Sequence, residues 1–439
     1  MIGKRLVMAA AVAATSALLL AGCSAANPGS SSSSAEVTWN DPTAKLDGVT
    51  LTYWTATQTA TMADQVIGAF EKATGAKINK VIIPDVYETN APTKIASGSK
   101  PDLATWQPTA SVLALLQPKT GLQDLSSAPW MKNLSAGVQK LGQVDGKTYA
   151  AFVNTPSVIG MFYNKDVFAK AGITTMPAGF DELLADAKTI KSSTSAAPFF
   201  GAVGDSWPTQ WWPQVLLAED AQKGLWDNVN SGKDTFSGPT IQSAITEYKS
   251  IVDAGLFNSD NLTSTYNESG PALLNGDAAM VLQISSFTSL LQSTADTATI
   301  NSKIGWFPIS KAGNVGTIIP GGDSALVAPK TGDATKEAAA RQFLRFWMET
   351  DYKSYIDQAN QISIEPSVAT PDGVPQVALD ASKALDNSVG SMQQLAVVNP
   401  DFYVFLADMV HGTKTPEDVG KLTQAQFTQL AKALGIAGF

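Results

Sequence analysis

The chain has 439 residues, of which 44% are hydrophobic and 16% are charged, and its formal net charge is −9. This length is about two to three times that of a typical domain, so we expect two domains with substantial cores. The acidic balance argues against a nucleic-acid-binding protein, because phosphate affinity needs a concentrated Lys and Arg footprint. The single Cys excludes an intramolecular disulfide and a Cys-rich zinc site, and the single His excludes a metal centre built on a His pair.

The N-terminal residues predict an exported lipoprotein. Two basic residues precede a 16-residue apolar run at 6–21, which is shorter than the roughly 20 residues of a membrane-spanning helix. The run leads into LAGC at 20–23, which resembles a lipobox, the bacterial signal-peptidase recognition sequence that precedes a lipidated cysteine. We therefore predict a signal peptide at 1–22 and lipidation of Cys23. A buried Cys in a core strand is the alternative, and it would not need the basic start or the small residues.

Cleavage after residue 22 removes two of the 30 basic residues and none of the 39 acidic ones, which makes the formal charge −11. Residues 23–46 include five consecutive serines at 30–34 and predict a flexible tether. No later apolar run approaches the length of a membrane span. We expect a soluble body that acyl chains on Cys23 hold at the extracytoplasmic face of the bacterial cell membrane.

Hydrophobic patterning predicts alternating strands and helices in this body. Residues 49–54 alternate as a β-strand does. The following helix places Met62 and Phe70 on one face and ends at Gly75. Strand, helix, strand at this spacing predicts parallel βαβ units. The other predicted elements are strands at 76–83, 101–106, 157–163, 279–284 and 305–308, a hairpin turn leading into a strand at 146–152, helices at 167–171, 180–190 and 334–350, and a final helix capped by residues 415–418.

Tryptophans at predicted strand exits and in one loop are candidate ligand contacts. Ligands of parallel sheets bind at the carboxyl ends of the strands, which places Trp54 and Trp106 beside one crevice. Trp207, Trp211 and Trp212 lie within six residues, among prolines. Aromatic faces stack on the apolar C–H face of a sugar while polar neighbours bind its hydroxyls. We predict sugar contacts for Trp207 and Trp211, and core packing stays open as the alternative for every Trp.

Four segments occur in an order that resembles a known family. They are GKTYA at 146–150, FYNKDVF at 162–168, GDAAM at 276–280 and GTKTPE at 412–417. Together, and after a lipobox, they resemble the oligosaccharide- and maltose-binding-like branch of the extracellular solute-binding lipoproteins of ABC sugar importers. The resemblance covers roughly residues 47 to 435 and implies an α/β fold, a two-lobe periplasmic-binding-protein-like clamshell with crossing hinge segments.

The resemblance also implies where the lobes begin and end. The implied hinges fall near 150–157, 306–310 and 360–367. The implied domains are a first lobe at 47–153 and 309–362 and a second lobe at 154–308 and 363–439.

Site residues are carried over by the same resemblance. Trp106 matches a sugar-stacking Trp, and residues 54–58 match the first ligand-contacting loop. Phe287 stands where the family has a stacking indole. The family's acidic contact corresponds to Ser157, with Asn154 nearby, so the preferred sugar should differ. Polar residues near these contacts are predicted to order sugar hydroxyls. The full set of predicted ligand-binding residues is Trp54, Gln58, Trp106, Gln107, Asn154, Trp207, Trp211, Gln283, Phe287, Asp323 and Tyr403, and no catalytic residue, metal or cofactor is predicted.

These features predict a binding protein, not an enzyme, that captures a neutral oligosaccharide and delivers it to ABC transporter permease subunits. Both Arg outside the signal peptide lie in the helix at 334–350, which leaves no bidentate fork elsewhere for an anionic ligand. We expect a monomer. Two alternatives stay open. One is an extracellular glycoside hydrolase, which needs a carboxylate pair from loop residues such as Asp205, Asp323 and Glu365. The other is a surface carbohydrate adhesin, which would need no hinges.

Overall fold

The computed structural model describes residues 38–83, 87–135, 138–319, 325–436 and 438–439, and residues 38–439 form one compact unit. The predicted signal peptide, Cys23 and Asp323 lie outside the described residues. The strands are β1 (Thr50–Ala56), β2 (Lys77–Ile83), β3 (Leu103–Trp106), β4 (Gln143–Val144), β5 (Lys147–Thr148), β6 (Ala150–Phe152), β7 (Ser157–Asn164), β8 (Ala197–Phe199), β9 (Ala278–Ile284), β10 (Ile304–Phe307), β11 (Gly316–Ile319), β12 (Ala325–Val327) and β13 (Ser388–Gly390).

The helices surround these strands. They are α1 (Asp64–Thr74), α2 (Tyr87–Ala96), α3 (Ala110–Ala114), α4 (Pro118–Gly121), α5 (Lys165–Lys170), α6 (Phe180–Ser193), α7 (Trp211–Leu216), α8 (Ala218–Gln222), α9 (Leu225–Asn230), α10 (Pro239–Asp253), α11 (Tyr266–Asn275), α12 (Phe287–Thr294), α13 (Thr297–Lys303), α14 (Ala334–Arg345), α15 (Tyr352–Ala359), α16 (Gln376–Ala384), α17 (Met392–Leu395), α18 (Phe402–Val410) and α19 (Pro416–Ala433). None of the helices described here combines the length and the apolarity that a bilayer crossing requires.

The first sheet has the strand order β2-β1-β3-β12-β6. β1 runs parallel to β2 and β3, which confirms the predicted βαβ units, and β12 runs antiparallel to β3 and β6. The carboxyl ends of β1, β3 and β6 therefore share one edge. The loop at Thr57–Thr59 and the residues after Trp106 and Phe152 emerge there.

The second sheet has the strand order β13-β11-β7-β9-β8, and β10 also pairs with β7. β7 runs antiparallel to β9, β10 and β11. Because of this direction, the first residue of β7, Ser157, lies at the same edge as the ends of β9 and β11. Gly160 of β7 lies under Trp306 of β10, and a Cβ at this glycine would come within 2.2 Å of the indole ring. A glycine is required there for β10 to pack on the sheet.

Each sheet has its own hydrophobic core. Helices α1 and α14 pack on the first sheet around Phe70, Phe343 and Trp347. The second sheet is covered on two sides, by a large cluster that includes Trp212 and by a smaller one around Phe287. The chain is thus built as two lobes, each around one of these two sheets, and β4 and β5 form a separate two-stranded sheet.

The chain crosses from the first lobe to the second at residues 153–156 and again between α15 and α16. It returns between β11 and β12, through residues 320–324 outside the described part. β10 and β11 both belong to the second sheet, so the predicted hinge at 306–310 is wrong. We place that lobe boundary between β11 and β12, and the other domain boundaries stay predictions.

Local sequence signals explain the helix ends. Gly75 ends α1 with a left-handed φ of 82°, which a glycine adopts without strain. Thr415 and Asp418 form a capping box that begins α19, with Pro416 in the first turn, as predicted. The predicted helix at 334–350 is longer than expected, because a π-helical segment at Phe346–Asp351 joins α14 to α15.

Candidate ligand-binding site

A cavity of about 250 Å³ lies at the crossing from β6 to β7. Met62 and Asn154 contribute to its wall from the first lobe. Ser157 and Ile284, at the shared edge of β7 and β9, contribute from the second lobe. Residues 360–362 and α16 complete the wall. Both lobes therefore contact whatever occupies this space, which we call the polar cavity.

The side chains that the described residues contribute to the polar cavity are all uncharged. Eight carry hydroxyls, four carry amides, seven are apolar and none is aromatic. Hydroxyls and amides donate and accept hydrogen bonds without net charge, which suits a neutral polar ligand. The hydroxyl and amide residues are Thr59, Asn154, Thr155, Ser157, Ser285, Ser286, Thr288, Ser289, Gln292, Asn360, Gln361 and Ser382.

Asn154 is a predicted ligand-binding residue that lines the polar cavity. The hydroxyl of Tyr355 donates to its Oδ1 at 2.5 Å, and its Nδ2 donates to Sδ of Met62 at 3.6 Å. Burial raises the pKa of Tyr355, so the hydroxyl stays protonated and continues to donate. A carboxamide has two donors and two acceptor positions, so Asn154 keeps one of each for a ligand.

The loop after β9 forms the opposite wall. The N–H of Ser285 donates to the carbonyl of Val158 at 2.9 Å, and its Oγ accepts from the N–H of Val158 at 3.2 Å. Thr288 Oγ1 donates to the carbonyl of Ser285 at 2.9 Å. These bonds hold the loop against the start of β7. The exposed side chains of Ser286 and Ser289 also line the cavity.

A second cavity, of about 230 Å³, adjoins the same crossing. It shares Thr155, Pro156 and Ser382 with the polar cavity. Its other lining is mainly aliphatic, with Ser135, Ser363 and one carboxylate: the lining residues not shared are Ser135, Val138, Leu141, Ile318, Ser363, Ile364, Pro366, Leu385 and Asp386. We call this the apolar cavity.

Four of the predicted aromatic contacts lie in hydrophobic cores. Trp106 is 1% exposed and Phe287 is 0% exposed, and Trp54 and Trp211 are also buried. The indole N–H of Trp106 donates to a backbone carbonyl at 3.3 Å, and Phe287 packs against two further aromatic rings. Protein atoms already cover these rings, and burying such large apolar surfaces favours the fold. Core packing is therefore the correct interpretation of these four residues in this conformation, and the prediction of stacking does not hold for them here.

Trp207 and Tyr403 are only half-buried and lie in neighbouring segments. The ring of Trp207 makes an edge contact with Trp211, with centroids 5.8 Å apart. Thr209, two residues further on, donates from Oγ1 to the carbonyl of Tyr403 at 3.0 Å. Trp207 and Tyr403 therefore remain predicted sugar contacts, but neither lines the polar cavity.

The remaining predicted polar contacts divide into three kinds. Gln107 is half-buried just after β3. Gln283 is 2% exposed, and its Oε1 accepts from the N–H of Ile284 at 2.9 Å, so its amide already serves the backbone. The side chain of Gln58 and all of Asp323 lie outside the described part, and both stay predictions.

The described candidate carboxylates do not form a catalytic pair at the polar cavity. Asp205 accepts the N–H of Tyr266 at 2.6 Å, which is the role of a cap at the start of α11. Glu365 is buried, and its Oε1 has no hydrogen-bond partner. Burial, and to a lesser extent the neighbouring Glu349, raises the pKa of Glu365 to about 7. Neither carboxylate lines the cavity.

Several lining residues were not predicted as ligand contacts. Ser285 and Ser286 directly follow β9, so the rule that ligands meet strand ends could have found them. Asn360 and Gln361 are half-buried and lie in the predicted third hinge, where two adjacent amide side chains were the available signal. Within the described residues, no group of three or more His, Cys, Asp and Glu side chains is arranged to hold a metal ion.

The chain resembles known proteins over most of its length. A family model for bacterial extracellular solute-binding proteins matches residues 54–354. A binding protein of Brucella abortus (strain 2308) is 31% identical over 201 residues, which are 44% of this chain and 47% of that protein. The chain thus spans about half the length of this curated relative. The diacetylchitobiose binding protein DasA of Streptomyces coelicolor is 24% identical over 327 residues, which are 70% of this chain and 72% of that protein.

Solved structures show the same fold. A chitin oligosaccharide binding protein superposes with a TM-score of 0.72 at 17% identity, over 88% of this chain and 99% of that one. This likeness confirms the predicted two-lobe α/β fold. Since the family model also covers more than half of the chain, the protein belongs to the bacterial extracellular solute-binding protein family.

Proposed function

We propose that the protein captures a neutral saccharide between its two lobes and presents it to the permease of an ABC transporter. The observation that carries this proposal is the uncharged lining of hydroxyls and amides where the lobes meet. Contacts from both lobes favour the closed state over the open one by their difference in affinity. Membership of the solute-binding family supports the proposed delivery to a permease.

The chemistry of the lining supports a neutral ligand over an anion. An anionic ligand is usually bound by an Arg fork or a Lys, and none lines the polar cavity among the described residues. A sugar hydroxyl both donates and accepts, as do the serine and threonine hydroxyls and the amides that face it. Two relatives agree with a neutral ligand: one is titled a diacetylchitobiose binding protein and another a chitin oligosaccharide binding protein. A third is titled an sn-glycerol-3-phosphate-binding protein, so the lining and not the relatives carries the choice of a neutral ligand.

The volume of the polar cavity limits how much of a saccharide it encloses. Its 250 Å³ corresponds to about eight water molecules at about 30 Å³ each. We therefore propose that it encloses one or two sugar rings. Trp207 and Tyr403 would contact rings that extend beyond the cavity, and Gln107 would bind hydroxyls there.

The location of the protein is part of the proposal. A signal peptide at 1–22 and lipidation of Cys23 would place the body at the extracytoplasmic face of the membrane. Mass spectrometry of the membrane-extracted protein tests this. We expect a mature N-terminus at Cys23 carrying acyl chains, and an unmodified Met1 would contradict it.

A thermal-shift panel tests the proposed ligand class on the purified full chain. The panel contains diacetylchitobiose, raffinose, mannotriose, maltotriose and glucose 6-phosphate. Ligands that bind only the folded state raise its melting temperature. We expect at least one neutral member to do so and glucose 6-phosphate to have no effect. A shift with the phosphate sugar alone would contradict the neutral class, and release of smaller sugars from a bound member would favour the hydrolase alternative.

A further inference from the structure

Three buried glutamines form a continuous hydrogen-bonded chain in the second lobe. Gln210, Gln214 and Gln393 are 8%, 3% and 6% exposed. The Nε2 of Gln214 donates to the Oε1 of Gln393 at 2.5 Å, and the Nε2 of Gln393 donates to the Oε1 of Gln210. In this amide chain every hydrogen bond is donated in the same direction, from Gln214 to Gln393 and from Gln393 to Gln210.

Both ends of this amide chain attach to the backbone. The Nε2 of Gln210 donates to the carbonyl of Trp207 at 2.9 Å. The Oε1 of Gln214 accepts from the N–H of Met392 at 2.9 Å. Each amide thus uses its nitrogen once as a donor and its oxygen once as an acceptor. A side chain that only donates, only accepts or does neither would interrupt this series of hydrogen bonds.

The amide chain joins two segments that are far apart in sequence. One is the 3₁₀ turn Trp207–Gln210, which carries the half-buried Trp207. The other is the short helix α17. Asn230 holds the C-terminal end of α17, with Nδ2 donating to the carbonyl of Leu395 and Oδ1 accepting from the N–H of Val397, both at 2.9 Å.

α17 is also where the second lobe meets the first. It contacts α3, which directly follows β3 and contributes Leu113 to the core of the first lobe. The same short helix therefore contacts the opposite lobe and receives the amide chain from the Trp207 turn.

We infer that the three glutamines couple the position of the Trp207 turn to the contact between α17 and α3, and that Gln393 is the positioning residue of this coupling. The inference rests on the proposed function, because the contact matters when a saccharide favours the closed state. A saccharide that orders the Trp207 turn would then also order α17 in its closing position. Breaking the hydrogen bonds of the amide chain would leave the Trp207 turn and α17 folded, but each would then move independently of the other.

Hydrogen exchange on the full chain tests the coupling without any saccharide. Gln393→Leu keeps the side-chain size but removes the donor and the acceptor. We expect backbone amides of both Trp207–Gln210 and α17 to exchange faster, by about tenfold or more. Gln342→Leu is the matched control, since Gln342 is a buried glutamine of the first lobe whose Nε2 donates to the carbonyl of Ala44 at 2.8 Å. It should leave exchange in both segments unchanged.

A pH rescue separates positioning from general damage. In Gln393→Glu the ionised carboxylate cannot donate to Gln210, but the protonated acid both donates and accepts. The two side chains that hydrogen-bond to residue 393 are amides, which do not titrate. In Gln393→Glu, slow exchange in both segments should therefore return as the pH falls. In Gln393→Leu it should not return. Both sets of rates are first corrected for the intrinsic pH dependence of exchange, which is measured in the parent chain.

Solution scattering then tests the link to closure, with the panel saccharide that gives the largest thermal shift as the probe. The parent chain and Gln342→Leu should compact on binding, and Gln393→Leu should compact less. Equal exchange in Gln393→Leu and the parent chain would overturn the inference, as would faster exchange in only one of the two segments. If no saccharide binds the parent chain, the proposed function fails, while the exchange experiment still decides the coupling.

Discussion

The two cavities at the crossing between the lobes share three residues but differ in chemistry. The polar cavity adds hydroxyls and amides to that shared set, whereas the apolar cavity adds mainly aliphatic side chains and one carboxylate. Their volumes, about 250 and 230 Å³, are nearly equal. Size therefore does not separate them as ligand sites, and hydrogen-bonding capacity does.

The difference shows how one crossing can select a ligand. A sugar that entered the apolar cavity would meet fewer partners for its hydroxyls, because only five of the twelve lining side chains are polar. Each hydroxyl left unpaired there costs about 1–3 kcal/mol. In the polar cavity twelve side chains carry a hydroxyl or an amide that could pair with the same hydroxyls. We therefore expect a saccharide to bind in the polar cavity in preference to the apolar one.

Filling each cavity in turn is the strongest test of this comparison. Ala378→Trp, on α16, should occupy the polar cavity and reduce saccharide affinity by at least about 100-fold, since lost contacts of about 2.7 kcal/mol suffice. Leu385→Trp fills the apolar cavity and should change affinity by less than about threefold. Calorimetry with the best panel saccharide measures both, and the opposite ranking would assign the ligand to the apolar cavity.

Removing one amide from the polar cavity should have a smaller effect. Asn154→Ala deletes a group that can still bind ligand, and we expect affinity to fall about 5- to 100-fold, as for one or two lost hydrogen bonds. Asn387→Ala is the control, because Asn387 is exposed and lines neither cavity. Unchanged affinity in Asn154→Ala would remove this residue from the site.

Glu365, which stands between two lining residues of the apolar cavity, should make the free energy of unfolding depend on pH. We expect no such effect of Glu365 on ligand affinity. Glu365 interacts electrostatically with Glu349 and with Tyr352, and Glu349 is paired with Arg345. The pKa of Glu365 is raised from 4.5 to about 7, so the folded state binds the proton more tightly than the unfolded state does. Its stabilising effect is therefore present below about pH 4.5 and is lost as the pH rises through about 7, by about 1–3 kcal/mol.

Urea unfolding at pH 5 and pH 8 measures this effect. Glu365→Gln keeps the shape of the neutral acid and should flatten the pH dependence over this range. An identical slope in the parent chain and in Glu365→Gln would assign the dependence to other groups.

Ionic strength should produce the smallest effect. Because the polar cavity has an uncharged lining among the described residues, saccharide affinity should change less than about twofold between about 0.05 and 0.5 M NaCl. Thermal shifts at both salt concentrations measure this. A marked loss of binding at high salt would indicate a charged contact to the ligand.

Much of the fold was predictable because periodicity and caps are local signals. The strand at 50–56, the helix that Gly75 ends and the capping box at Thr415 follow from their own residues. The return from the second lobe to the first was predicted at 306–310 instead of between β11 and β12. The reason is that β11 pairs with β7, a strand far away in sequence, and no local pattern encodes that pairing. Sheet membership depends on tertiary packing.

The site was less predictable for the same reason. Trp106 ends β3 and Trp54 lies two residues before the end of β1, but an indole at such a position can turn toward the core as easily as toward the cleft, and both are buried. Serines such as Ser285 and Ser286 give no signal of their own, because surface serines are common. Only the geometry of the crossing brings their hydroxyls around one space.

One hydrogen bond at the crossing affects how the lobes can move. Thr155 Oγ1 donates to the carbonyl of Ile362 at 3.1 Å, and so ties the two crossing segments of the described chain to each other. Because the two crossing segments are joined in this way, we expect them to bend together and to define one rotation axis for the lobes. The lobes then open and close mainly about this one axis, so less orientational entropy is lost when a ligand brings them together.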